Sequence, residues 1–203
     1  MQATLEQLRH LPIFIAVQDQ DLNELRVHTV IRHYLAEEIV MQEGDRLPAQ
    51  LYALVSGTLL ITKTAPTGKE TILRILSDGD LFAAPALFGN GISPATVTAE
   101  ADCQILTIER DALLQAIQKT PEIALSILSL FNQRLQQLHN TVHGLVSERA
   151  IVRLVRYLQY FAAEHGTKPT AEGAMLQMLL PYYQIARSIG ITYEECVRLF
   201  KQL

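Results

Sequence analysis

The chain has 203 residues, room for one large domain or a medium domain with a small partner. Hydrophobic residues make up 49% and charged residues 19%, a balance that supplies a core and excludes a disordered chain. The net charge of −4 argues against a wholesale basic nucleic-acid coat but leaves room for a local basic face.

Two cysteines, Cys103 and Cys196, are too few for a disulfide scaffold or a four-cysteine metal or iron–sulfur site. Two thiols, no basic-then-apolar leader after Met1, and no apolar run near the roughly 20 residues that cross a bilayer predict a cytoplasmic protein with no membrane partner.

Residues 1 to about 30 read as short helices. Leu5, Leu8 and Leu11 share a face before Pro12 interrupts, and 19–30 carries Leu22, Leu25 and Val27 at roughly helical spacing. From Ile31 to Glu109 the texture changes to short β-rich runs at 38–41, 51–56, 58–64, 71–76, 95–99 and 103–109. Gly44, Gly57, Gly68 and Gly79 punctuate them. Turns at that spacing predict an antiparallel sandwich or barrel, not alternating βαβ units. Residues 64–70 read as a hairpin loop with Pro66 and Gly68 in turn positions. Gly89-Asn90-Gly91 reads as a loop turn, not a phosphate cradle.

A short helix is predicted over 111–117. A long one follows, with Pro121 at its first position and Glu122 in its first turn. Ala124, Leu128, Phe131, Leu135, Leu138, Val142 and Leu145 recur at alternating steps of four and three, the seam of a coiled coil with a polar remainder. This favours self-association over packing on the chain's own core, and a rod of about 37 Å for roughly 25 residues. His139 and His143, four apart on this helix, have a metal-capable spacing. They flank the seam without an evident third ligand, and read better as solvated histidines.

Gly144 and Ser147-Glu148 interrupt the pattern, which places a hinge there. A helix over 150–163 and a loop over 165–173 follow. The segment from Glu148 onward carries +2 and the rest −6. Residues 184–203 read as helix, tight turn, helix. Ile185, Ala186 and Ile189 form an apolar side, and Gly190 sits at the turn. Thr192 is an N-cap completed as a capping box by Glu195. Cys196, Leu199, Phe200 and Leu203 repeat at helical spacing and should face inward, leaving Tyr193, Glu194, Val197, Arg198 and Lys201 outward. Such a helix fits the major groove, where a basic face reaches phosphates and base edges. The competing reading is a helical hairpin with no nucleic-acid role, since acids such as Glu194 are repelled by phosphates.

At this point the chain resembles the Crp/Fnr family of bacterial transcription regulators over roughly residues 10–203. The order of elements matches, and so do Leu51-Tyr-Ala-Leu-Val-Ser-Gly57, Ser77-Asp-Gly-Asp80, Ala86-Leu-Phe88, Pro121-Glu-Ile123 and Arg134-Leu-Gln136. The resemblance implies an α+β protein with three parts. An antiparallel β-roll (a double-stranded β-helix or jelly roll) occupies 1–120, a dimerisation helix 121–146, and a small winged-helix-like helix-turn-helix domain 147–203. That last domain lacks the wing that members usually carry after the recognition helix.

It implies a homodimer joined through Leu128, Phe131, Leu135, Leu138, Val142 and Leu145. The dimer would read palindromic double-stranded DNA with half-sites about 34 Å apart, with RNA polymerase as a candidate further partner. The family's DNA-lining positions fall on Thr192, Tyr193, Glu194 and Arg198, with Lys201 on the same outward face. Tyr193 replaces a frequent arginine, so the target sequence should differ from the common one.

Members that bind cyclic AMP carry Gly-Glu-Leu and, after a short loop, Arg-Ser or Arg-Thr, which hold the ribose hydroxyl and the cyclic phosphate. Here the matching positions are Ala83-Ala84-Pro85 and Pro94-Ala95, with Phe82 beside them, and the adenine-contacting threonine matches Leu138. Burying a phosphate without its guanidinium costs several kcal/mol, so cyclic AMP and GMP are not expected in the family manner. No metal or other cofactor is expected.

Arg134 matches an arginine that the cyanobacterial nitrogen regulators use for 2-oxoglutarate, which makes that or another small effector a candidate. The second arginine is again Pro94, and a collapsed pocket with no effector is the other reading. The leading function is a dimeric DNA-binding regulator. The alternative is a sensor or interaction module of the same fold that has lost DNA binding. No nucleophile elbow, Walker loop, dinucleotide fingerprint or zinc-binding helix motif points to an enzyme.

Overall fold

The computed structural model describes residues 1–170 and 173–203, leaving aside the side chain of Val146. The chain divides into two compact units. One comprises 1–64 and 73–133, the other 65–72 and 134–203. The division therefore cuts the long helix at 133/134 and groups the 65–72 hairpin tip with the C-terminal segment. The expected boundaries were near 120 and 146.

The first unit opens with α1 (Leu5–His10) and α2 (Asp19–Arg26). Thr4 caps α1 in a complete capping box with Gln7. A strand unforeseen as such, β1 (Thr29–Tyr34), begins where helix was expected. Val27 is accordingly exposed, because α2 ends one residue before it.

The roll then follows the predicted runs within one residue at either end: β2 (Ile39–Met41), β3 (Gln50–Ser56), β4 (Leu59–Thr64), β5 (Glu70–Leu76), β7 (Thr96–Ala99) and β8 (Cys103–Glu109). A two-residue strand, β6 (Leu81–Phe82), and a short helix, α3 (Ala84–Phe88), were missed. Two residues give too short a period to read. α4 (Arg110–Lys119) closes the roll.

Two four-stranded sheets result, in the orders β1-β8-β3-β6 and β2-β7-β4-β5. Every described strand pairing is antiparallel, with β3 and β8 in the register Leu51↔Ile108 and Ala53↔Leu106. β3 is buried at five consecutive positions because both its faces are covered. Leu51, Ala53 and Val55 pack on the helical side with Leu22, Leu113 and Ile127. Tyr52 and Leu54 pack inside the roll with Leu59, Val97 and Ile105.

All four punctuating glycines have positive φ. Gly57 is the most constrained of them, because a Cβ there would sit 2.5 Å from the Asp102 carbonyl oxygen.

α5 runs from Glu122 to Ser147. Pro121 lies just outside it and offers its carbonyl to the amides of Ala124 and Leu125. Gly144 does not break α5, as it is helical and buried, and the chain turns only at Glu148-Arg149. In the second unit α6 (Ala150–His165) leads into an antiparallel ribbon, β9 (Thr167–Thr170) and β10 (Gly173–Leu176). A loop was expected here. Pro169 and the small polar residues carry no apolar alternation, so the ribbon is invisible to periodicity. α7 (Tyr182–Ile189) and α8 (Tyr193–Phe200) complete the chain.

Candidate nucleic-acid interface

α6, α7 and α8 share one core of Leu154, Ile185, Ala186, Ile189, Cys196 and Leu199. α7 starts two residues earlier than read, directly after Pro181, which needs no amide partner there. It ends at Gly190, whose φ of 73° and ψ of 33° are left-handed. The Ile191 amide then donates to the Ala186 carbonyl at 3.0 Å. This geometry sets the angle at which α8 leaves, and an L-residue pays about 1–2 kcal/mol for it.

Thr192 caps α8 as expected, its hydroxyl accepting the Glu195 amide at 3.2 Å. The reciprocal half of the capping box is not formed among the described residues. The Glu195 carboxylate instead lies 3.6 Å from Arg198. Cys196 and Leu199 are buried and Phe200 is half-buried against the Tyr182 ring at 4.7 Å. Leu203, expected inside, is 64% exposed because α8 ends at Phe200.

Thr192, Tyr193, Glu194, Arg198 and Lys201 are all exposed, and the structure thus brings all five predicted positions onto the solvent side of α8 or its cap. Val197 is only half-exposed. Tyr193 is not fully free, because its ring meets Tyr182 edge-on at 6.4 Å.

Sequence reading missed the supports beneath this pair. The Arg153 side chain donates from Nε to the Ile189 carbonyl at 3.1 Å, and from Nη1 to the Glu148 carbonyl at 2.8 Å. It thereby ties the C-terminal end of α7 to the α5–α6 turn. Arg156 pairs with Glu148 at 2.6 Å. The Tyr157 phenol donates to Ser188 at 3.1 Å. Burial pushes that phenol up to about 12, against a smaller opposing pull from the hydrogen bond to Ser188, so it stays a donor at neutral pH. The Arg153–Ile189 and Tyr157–Ser188 bonds had no sequence signal, since their partners are a carbonyl and a hydroxyl more than 30 residues away. Arg187 on α7 is held by Glu70 of the hairpin tip at 2.6 Å and lies over the Tyr183 ring.

In the roll, the carried-over effector positions are apolar. Phe82 is buried and packs on Tyr52 with ring centroids 5.8 Å apart. Ala83 takes a left-handed φ of 51° ahead of α3, and Ala84 is half-buried within it. Pro94 is exposed and Ala95 is buried, and each contributes only a carbonyl, to Lys63 and Ser93 respectively. The nearby Arg74 guanidinium is engaged by Asp80 and the Leu81 carbonyl. Arg134 donates to Gln137 on its own helix, at 3.2 Å. Leu138 is 45% exposed.

α5 carries two apolar faces, the seam and a neighbouring one. Ile123 and Ile127 are buried in the core of the first unit, with Phe131 half-buried beside them and edge-on to Phe88 at 6.1 Å. Phe131 is thus partly spoken for, contrary to a pure seam role, and Ala124 is likewise half-buried. Leu125, Leu128, Leu135, Leu138, Val142 and Leu145 stay exposed. His139 and His143 are exposed, and no metal-holding cluster occurs among the described residues.

The family model for the cyclic nucleotide-binding domain matches residues 31–120. A CRP-like cAMP-activated global transcriptional regulator of Mycobacterium tuberculosis is 29% identical over 155 residues, 75% of this chain and 66% of that protein. The cAMP-activated global transcriptional regulator CRP of Pasteurella multocida is 26% identical over 186 residues, 91% of this chain and 88% of that one.

The chain is similar to CRP-type transcriptional regulators and matches the cyclic nucleotide-binding domain over residues 31–120.

Its fold is shared with the c-di-GMP responsive global regulator CLP of Xanthomonas campestris, with a TM-score of 0.76 and 21% identity, covering 91% of each chain. A CooA mutant from Carboxydothermus hydrogenoformans has a TM-score of 0.75 at 22% identity, covering 87% of this chain and 76% of that one. The α+β architecture of roll plus helix-turn-helix is therefore that of this chain. The named relatives are transcriptional regulators, not enzymes. Among the described residues no helix is long and apolar enough to cross a membrane.

Proposed function

We propose that this chain is a homodimeric, sequence-specific DNA-binding transcription regulator of Crp/Fnr type in which α8 is the recognition helix. The observation that carries this is the helix pair itself. A tight apolar core and a left-handed glycine hold α8 so that Tyr193, Glu194, Arg198 and Lys201 point to solvent together. Arg198 and Lys201 supply charge for phosphates or guanine edges, and Glu194 can accept from a cytosine amino group. Dimerisation runs through the exposed Leu128, Leu135, Leu138, Val142 and Leu145, with Phe131 at the margin. Two-fold symmetry then pairs the recognition helices on a palindrome.

The same reading holds that cyclic AMP is not bound in the family manner. Positions 83, 84, 94 and 95 bring no polar side-chain atom, and the Arg74 charge is already matched by Asp80. The names of the relatives state cyclic AMP activation for those proteins, and a titration decides it for this one.

The test is fluorescence-anisotropy binding to a pool of palindromic duplexes at two salt concentrations, with and without cyclic AMP and 2-oxoglutarate, for wild type and Arg198→Ala. Arg198 is 67% exposed in its side chain and pairs only weakly with Glu195, so its loss leaves the fold intact. Affinity should fall by roughly 5- to 150-fold, and wild-type binding should weaken with salt. Unchanged affinity in Arg198→Ala refutes this docking. No binding to any duplex at low salt favours the interaction module instead.

A further inference from the structure

The roll contains a cavity of about 190 Å³ whose walls include none of the effector positions carried over from the family. It opens between β1, the β2–β3 connection and β8. Its floor is buried and apolar, with Met41 and Ile105 beside the Tyr52 ring. Tyr52 is 5% exposed and its side chain lines this space beside them. Burial pushes that phenol up, against the pull of Arg32, so it is a neutral donor.

Two arginines, Arg32 and Arg46, line the same space. Neither holds a carboxylate among the described residues, whereas Arg9, Arg74, Arg156 and Arg187 each do. One acid, Asp45, also lines it, and its carboxylate already accepts the Gln42 amide at 2.8 Å. The lining is therefore net positive in a protein of net charge −4. An apolar floor, one phenol donor and two unmatched guanidiniums suit an anion with a small hydrophobic body.

We propose that this cavity binds a small organic carboxylate. Arg32 and Arg46 take the carboxylate, Tyr52 donates to it from the floor, and Met41 and Ile105 seat its apolar body.

The test is isothermal titration of the full chain with benzoate as probe, alongside neutral benzyl alcohol and inorganic phosphate. Wild type should bind benzoate with an affinity that falls with added salt. Arg32→Ala and Arg46→Ala should each weaken it roughly 10- to 150-fold. Both side chains are exposed, so these variants should keep the wild-type melting curve. Tyr52→Phe, which keeps the packed ring, gives an independent loss. No heat with benzoate at millimolar concentration overturns the proposal. So does equal binding of benzyl alcohol, which shows an apolar hole alone. Full displacement of benzoate by inorganic phosphate also overturns it, because the site would then read charge without a body. The DNA-binding reading is untouched by any of these results, since no duplex is present.

Discussion

The two faces of α5 make opposite predictions for substitutions only eight positions apart. Leu135 is 50% exposed, while Ile127 is 2% exposed. Half of Leu135 is already in water in the single chain, so Leu135→Glu should change the stability of one folded chain by no more than about 0.5 kcal/mol. In the proposed dimer each copy finishes its burial. Full burial of a leucine is worth about 1.5–3 kcal/mol, so the remaining half is roughly 1 kcal/mol per protomer and roughly 2 for the symmetric pair. Two carboxylates in the seam add a desolvation cost of about 2 kcal/mol or more. The dimer dissociation constant should therefore rise by about 1,000-fold or more. Leu135→Ala, which adds no charge, should raise it by only about 30-fold.

Sedimentation equilibrium across the micromolar range measures both. Ile127→Ala is the contrast: it should cost about 2–5 kcal/mol in denaturant unfolding, because it opens a cavity in the roll's helical core. A wild type that is monomeric at micromolar concentration refutes the reasoning. So does a Leu135→Glu variant with wild-type mass.

Further expectations concern the second unit and the pocket. Gly190→Ala should destabilise the α7–α8 pair by about 1–2 kcal/mol through its positive φ alone. A Cβ there would meet Leu145 at an ordinary 3.4 Å, so a larger loss in denaturant unfolding would mean a steric cause instead. Thr192→Ala should cost about 1 kcal/mol of the same transition by removing the cap on the Glu195 amide, whereas Thr192→Ser should cost little.

Tyr157 should be the late titrant among the tyrosines in absorbance at alkaline pH. Its folded value near 12 lies above the ordinary 10, so its contribution is complete below pH 10 and is lost as pH rises toward 12. Tyr157→Phe should remove that component of alkaline unfolding. Cyclic AMP at millimolar concentration should not raise the melting temperature, and a rise of several degrees would overturn the pocket reading.

Much of the second unit's site was legible. The spacing of Ile185, Ala186, Ile189, Cys196 and Leu199, with Gly190 and Thr192 between, shows the helix pair and its outward residues, because local chemistry decides both turn and cap. Leu203 misled because a period cannot show where a helix runs out of partners. The heptad on α5 was legible as a stripe, but the neighbouring face of Ile123 and Ile127, held by the chain's own core, was not. Phe131 belongs to both because Phe88, far off in sequence, happens to reach it.

By itself, the sequence determined the class of the fold, the strand runs, the long helix and the absence of polar side chains at the family's nucleotide positions. Each follows from residue type and short-range spacing. Only the tertiary structure decided which faces are covered. β3 is apolar on both sides because helices pack on one and the second sheet on the other. Arg153 fixes α7 through carbonyls that have no sequence identity. Arg32 and Tyr52 share one cavity because antiparallel pairing with β8 carries β1 and β3 together, and the β2–β3 connection brings Arg46 to it. Contacts of that kind depend on register and closure, which no local pattern encodes.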